Sequence, residues 1–292
     1  MSDVAGGAAG EDQFVDLHTH STASDGTRAP RDVVAAARAV GLAVIALTDH
    51  DTLAGLTEAF AAGQEFGVRV VAGVELSAVE GERGDQETHI LGLHLSDRPE
   101  LERRLEDIRD MRVRRAERIV RRLNELGVPV TMDSVLKEAA GGAVGRPHVA
   151  RALIAGGWAG DLHEAFNRYL GNGRQAFVPK ERLAAVEAMR LIHNAGGLAV
   201  LAHPGPHATR ERVAALQRDG LDGIEVLHPS HSWDVARELD SMAADLGLVR
   251  SGGSDWHGAM DGARTLGMMR VPAQWVGDQE ACVAMRASRR VA

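Results

Sequence analysis

At 292 residues, 45% of them hydrophobic, the chain can form one large globular domain or two modest ones, each with its own core. A net charge of -8 disfavours a protein that coats nucleic acid, but it does not exclude nucleotide substrates, because bound divalent cations offset such charge locally. The single cysteine, Cys282, permits no internal disulfide, and no apolar run approaches a membrane span or a signal-peptide core, so the expectation is a cytoplasmic enzyme without membrane attachment.

Aromatic residues are scarce at 3% while Ala and Gly are abundant, which predicts a core of Leu, Val, Ile and Ala in an α/β architecture. Residues 1–13 have no apolar periodicity and read as a flexible tail. Structure is expected from Phe14, where a short apolar run leads into DLHTHSTASDG. Alternation along a strand puts His18 and His20 on one face, and Asp25 adds a carboxylate on the turn side. An isolated H-x-H is as often a hydrogen-bonded pair at a strand end as a ligand pair; this one is not isolated.

Pro30 and Gly41 bracket a short amphipathic helix, and Leu42–Leu47 reads as a strand ending in Thr48, Asp49, His50 and Asp51. A second helix runs to about Phe66, followed by a strand from Val68 to Leu76 that carries Glu75 near its end. The strand His89–Leu95 breaks the rhythm: returning antiparallel, it brings His89 back to Glu75's end of the sheet. Pro99 to Leu126 is a long helical pattern striped with Leu101, Leu105, Ile108, Ile119, Leu123 and Leu126, and helical signals continue to Leu170. Residues 99–176 therefore read as an inserted all-α subdomain, with 14–98 and 177–292 forming the main domain. There the rhythm resumes, with strands ending at His203, Leu227 and Val249, each followed by polar residues that include His228–His231 and Ser254–His257. In a barrel of parallel strands such loops converge on one mouth.

The candidate metal ligands are His18, His20, Asp25, His50, Glu75, His89, His203, Asp255 and His257. Nine exceed the needs of one tetrahedral zinc, so roughly two to three divalent metals are expected, with Glu75 or Asp255 as bridging carboxylate. A chance excess of histidines would have to recur at almost every strand end.

These segments resemble the polymerase and histidinol phosphatase (PHP) family of metal-dependent phosphoesterases. DLHTHSTASDG matches its first motif and ALTDHDT its second; GVELSA with THILGL carries acidic and histidine ligands, AHP is the third motif and GGSDWHG the last. GRPHVARALI and GIEVLHPSHS look like the subgroup associated with nucleotide phosphatase and short-RNA 5′ to 3′ exonuclease activity. The resemblance implies a distorted (β/α)7 barrel with a trinuclear site, most often manganese, with zinc or iron as alternatives. Carried over by position, His18, His20, Glu75 and Asp255 would hold one metal, Glu75 would bridge to a second bound by His89 and His203, and Asp25, His50 and His257 would hold the third. With no motif position missing, a non-catalytic metal-stabilised binding module is the weaker alternative.

The chemistry so implied is attack on phosphorus by a metal-bridging hydroxide, with Glu75 and Asp255 as the catalytic carboxylates and His231 as a candidate to protonate the leaving oxygen. His207 is a candidate for the same task and is counted with the substrate-contacting residues. Ser254 has no base reserved for it, so a phosphoseryl intermediate is not expected. Arg146, His148, Arg174 and Lys180 flank the insertion and suit a second phosphate, although Arg146 and Arg174 equally fit a pre-helix and a loop arginine. The spacing of Asp110 with Arg114 and Glu117 with Arg121 favours a salt-bridged helix face over an RNA-guiding one. Trp256 is expected to pack on the barrel rim, and Glu225 and His94, inside strands, to be structural or to support the ligands from behind. The expected substrate is a nucleoside monophosphate or 3′,5′-bisphosphate, with short RNA trimmed from its 5′ end, and no stable protein partner; histidinol phosphate is the alternative substrate.

Overall fold

The computed structural model describes residues 14–81, 86–139, 144–179, 183–259 and 264–291; the expected N-terminal tail and Lys180 lie outside them. The chain divides into two compact units, residues 1–101 with 183–292, and residues 102–182.

The first unit opens with β1 (Phe14–Thr19), α1 (Pro30–Ala39), β2 (Val44–Leu47), α2 (Leu56–Phe66), β3 (Arg69–Glu80) and β4 (Gln86–Leu93). Pro30 starts α1 where its missing N–H costs nothing, and Gly67 closes α2 at φ 67°, a left-handed cap that a side chain would disfavour. The second unit is helical among its described residues: α3 (Pro99–Glu125, its first turn still in the first unit), α4 (Met132–Ala139), α5 (Arg146–Ala155), α6 (Leu162–Ala165) and a π-helical turn, Phe166–Leu170. Its core gathers Ile119, Leu123, Val135, Val149, Leu153 and Leu170. Four of the predicted stripe residues on α3 are buried, but Ile108 is only half-buried and Leu126 is exposed, because the helix stops at Glu125. Arg114 and Asp110 face each other at 4.0 Å on the solvated side, whereas Arg115 turns inward and its Nε donates to the Val178 carbonyl at 2.9 Å. No helix among the described residues is long and apolar enough to cross a membrane.

The first unit then resumes with β5 (Leu183–Ala184), α7 (Ala185–Asn194), β6 (Leu198–Leu201), α8 (Arg210–Asp219), β7 (Gly223–Leu227), α9 (Trp233–Leu246), β8 (Val249–Gly252), β9 (Val271–Pro272) and α10 (Gln274–Val291). The strands form a nearly closed barrel sheet in the order β8-β7-β6-β4-β3-β2-β1-β9, with β5 paired to β3. β4 runs antiparallel to β3, as expected, and also to β6, and β9 is antiparallel to β1; the other pairings are parallel. Val15, Leu17, Val44, Ala46, Val71, Leu91, Leu93, Val200 and Ala202 share one core, the small aliphatic filling that the composition implies.

Closure depends on the chain after β8. There the His20 amide donates to the Trp256 carbonyl at 2.9 Å, and Thr19 bridges Trp256. At Gly253 an added Cβ would lie 2.5 Å from both the Cβ and the amide nitrogen of His18, so only glycine lets the segment approach β1. Gly253→Ala should therefore lower stability by about 1–3 kcal/mol through overpacking. Urea denaturation checks this; a wild-type midpoint would mean that the seam is looser than described.

Candidate metal centre

The local fold aims the histidines. Val15 pairs with Val44 and Thr19 with Leu47, so β1 holds one more residue than β2 across the same interval. This bulge turns His18 and His20 to the inner side already occupied by Val15 and Leu17. Asp49 fastens the following turn by accepting from the Ser21 amide, the Ser21 hydroxyl and the Ser24 hydroxyl, each at 2.7 Å, which sets Asp25 over the same mouth. At other strand ends, His203 at φ 29° and Asp255 at φ 50° occupy backbone conformations that are costly for non-glycine residues and persist only where the surroundings fix them.

Glu75 is the centre of the arrangement, and it is buried. Its Oε1 lies 2.7 Å from His89 Nδ1 and 3.0 Å from His203 Nε2; its Oε2 lies 3.1 Å from His18 Nε2, 3.2 Å from His20 Nε2 and 3.3 Å from His50 Nδ1. Five imidazoles thus divide between the two oxygens of one carboxylate. Asp255 Oδ1 approaches His20 at 3.2 Å, His18 at 3.5 Å and His257 Nδ1 at 3.6 Å. Asp25 Oδ1 lies 3.3 Å from His257 Nε2, and its Oδ2 lies 3.9 Å from His50 Nε2.

All nine predicted ligand positions therefore converge. Within them, the ligand atoms of His18, His20, Glu75 and Asp255 lie within 4.8 Å of one another, as do those of His20, Asp25, His50 and His257, and those of His50, Glu75 and His89.

The charges follow from this packing. Burial opposes ionisation of Glu75, yet the neighbouring imidazoles, His18 first, hold it well below the usual carboxylate range. Burial likewise opposes charge on His18, but Glu225 and Glu75 outweigh it and raise the imidazole well above its ordinary value. His20 rises to about 9 as Asp255 and Glu75 overcome burial, while burial lowers His50 to about 4. Both ring nitrogens of His20, and Nδ1 of His50, are buried without a hydrogen-bond partner among the described residues, although carboxylates stand near them. Unsatisfied buried nitrogens facing ionised carboxylates are the donor set that a divalent cation satisfies, and imidazole with carboxylate suits manganese, zinc or iron.

A supporting layer surrounds these residues, and most of it was not singled out from sequence. Glu225, fully buried on β7, meets His18 Nδ1 at 3.0 Å and accepts from the His203 amide at 2.7 Å, so one carboxylate fixes two of the strand ends. The buried Asp16 accepts from the Ser254 and Gly267 amides at 2.9 and 2.8 Å. The Ser230 amide donates to His228 Nδ1 at 3.1 Å, which leaves Nε2–H to face Asp255 Oδ2 at 3.4 Å; Arg264 pairs with the same oxygen. Trp256 is packed at 1% exposure, as expected, and His94 bonds Gln279 at 2.9 Å.

The other predicted residues take various places. His231 donates from Nδ1 to the Val226 carbonyl at 2.9 Å and accepts the Gly205 amide at Nε2 at 3.2 Å, so both ring nitrogens tie backbone together and neither is left to protonate a leaving group. His207 is exposed, and its carbonyl accepts from Arg212 at 3.1 Å. Within the helical unit, Arg146 donates to the Leu170 carbonyl at 3.3 Å and lies over the rings of Phe166 and Phe177; His148 accepts the Gly145 amide at 2.9 Å, closing the start of α5; Arg174 is exposed.

Relatives share this frame. The PHP domain pattern matches residues 16–140. A 5′-3′ exoribonuclease of Haemophilus influenzae is 38% identical over 83% of this chain and 89% of its own length. A 3′,5′-nucleoside bisphosphate phosphatase of Chromobacterium violaceum is 35% identical over 87% of this chain and 90% of its own. Among solved structures, one described as a metal-dependent phosphoesterase from Bifidobacterium adolescentis superposes with a TM-score of 0.73 at 34% identity, covering 93% of this chain and 96% of that one. The chain belongs to the PHP family, and it is a metal-dependent phosphoester hydrolase.

Partners behind a ligating imidazole fix its tautomer and its basicity, and their loss commonly costs roughly 10- to 100-fold in metal affinity. Glu225→Gln should therefore weaken metal retention by about that factor in a chelator titration, with circular dichroism unchanged. Wild-type retention would show that His18 needs no such partner.

Proposed function

We propose that the protein hydrolyses a phosphate ester of a nucleotide, a nucleoside monophosphate or a 3′,5′-bisphosphate, and that it also trims short RNA from the 5′ end. The observation that carries the reading is the division of five imidazoles across the two oxygens of buried Glu75, which suits a carboxylate shared between cations. The names of the relatives, an exoribonuclease and a nucleoside bisphosphate phosphatase, supply the substrate class.

In this reading His18, His20, Glu75 and Asp255 would hold one cation, Glu75 with His89 and His203 a second, and Asp25, His50 and His257 a third, with manganese preferred over zinc or iron. Bound there, such cations supply a nucleophilic water at neutral pH and neutralise charge on the phosphoryl oxygens. The chain's residues prepare that chemistry. Glu75 and Asp255 stay ionised beside their imidazoles, Glu225 orients His18 and positions His203 through its amide, and His228 with Arg264 engages Asp255 Oδ2 so that Oδ1 faces the cluster. His231 acts by position, since its Gly205 contact ties the loop after β6 to the one after β7.

Phosphate release should be measured over nucleotides, short RNAs and histidinol phosphate with manganese, zinc and iron. Nucleotides or short RNA should be turned over fastest; a clear preference for histidinol phosphate would overturn the substrate assignment. Glu75→Gln keeps the shape but removes the shared charge. It should abolish hydrolysis while the fold persists, and wild-type turnover in that variant would refute the mechanism.

A further inference from the structure

We infer that the cavity beside His89 and His203 is the leaving-group subsite and that it takes an uncharged sugar, the ribose of a nucleoside, rather than a second phosphate. This deepens the nucleotide reading and rests on it. The cavity measures about 490 Å³, within the usual range for small-molecule sites, and is walled by the start of β4, the loop after β6 and the first turn of α8. His89 and His203 both line it, and both contact Oε1 of Glu75. A group seated there is therefore next to one side of the shared carboxylate, where an alcohol departing from phosphorus would sit.

The charges decide what that group is. Among the described lining residues the cation is Arg212, and it is already committed: Nε and Nη2 grip Glu80 at 2.9 and 2.6 Å, Nη2 also reaches Thr88 at 3.3 Å, and Nη1 donates to the His207 carbonyl at 3.1 Å. Glu80 cancels the charge of Arg212 and occupies the fork that a phosphate would need. Among the described lining residues the carboxylate is Glu87, which is exposed. A carboxylate repels a phosphate and accepts from adjacent hydroxyls, while Ala202 and Pro204 give the lining an apolar surface for a ring. The described wall suits a neutral polyol better than a second phosphate.

Calorimetry with adenosine, which carries no phosphate, tests the assignment on the metal-loaded full chain. Adenosine should bind wild type. Glu87→Lys, an exposed change that the fold tolerates, should weaken adenosine by at least about tenfold and should tighten adenosine 3′,5′-bisphosphate relative to adenosine monophosphate. The gain on the bisphosphate cannot come from misfolding. Absence of adenosine binding to wild type, or adenosine binding and bisphosphate preference both unmoved by Glu87→Lys, would overturn the proposal. Hydrolysis of p-nitrophenyl phosphate by wild type is the separate control: if it fails while adenosine still binds, the phosphoesterase mechanism is at fault and not the sugar site.

Discussion

The structure turns on a buried carboxylate surrounded by imidazoles. Removing Glu75 from water is costly unless positive charge and hydrogen-bond donors meet it. Here the donors come from β1, the end of β2, β4 and the end of β6, so the cost is met only when these neighbouring strands have assembled around β3. The need to satisfy this group ties together strands that are far apart in sequence. The antiparallel course of β4 belongs to the same constraint, since it returns His89 to Glu75 through the pairing of Ser77 with His89.

The outer layer shows how such a site is held still. Glu225 spends one oxygen on His18 and the other on the backbone of His203, and Asp16 collects amides from the segment after β8. Positive φ at His203 and Asp255 is tolerated because these contacts over-determine the loops. Preorganisation of this kind lets a site stabilise charge that develops during reaction without rearranging.

Much of this was legible in the sequence. Strand rhythm with a polar cluster at each strand end located all nine converging positions, because a barrel turns sequence periodicity into spatial proximity. The β1 bulge was hidden: it depends on the register of two paired strands, which no local pattern encodes. Glu225 is expected from its sequence to be structural or to support the ligands, and it does the second; a lone acid in the apolar run GIEVL is expensive to bury unless something pairs with it, and that something is His18 with the His203 amide. In HPSHS the sequence reading singles out only His231 as a candidate and passes over His228; their backbone partners show that His228 faces Asp255 whereas His231 ties two loops together. Arg146 shows the converse: its charge suggested phosphate, while the fold sets it against Phe166, Phe177 and the Leu170 carbonyl.

The central claim is that Glu75 is shared between cations. Elemental analysis of protein purified without chelator, with anomalous diffraction at the absorption edge of the metal found, tests it most directly. The account predicts roughly two to three metals per chain, with one on each side of the Glu75 carboxylate. One metal or fewer after reconstitution with manganese, or density on a single side of Glu75, would contradict it.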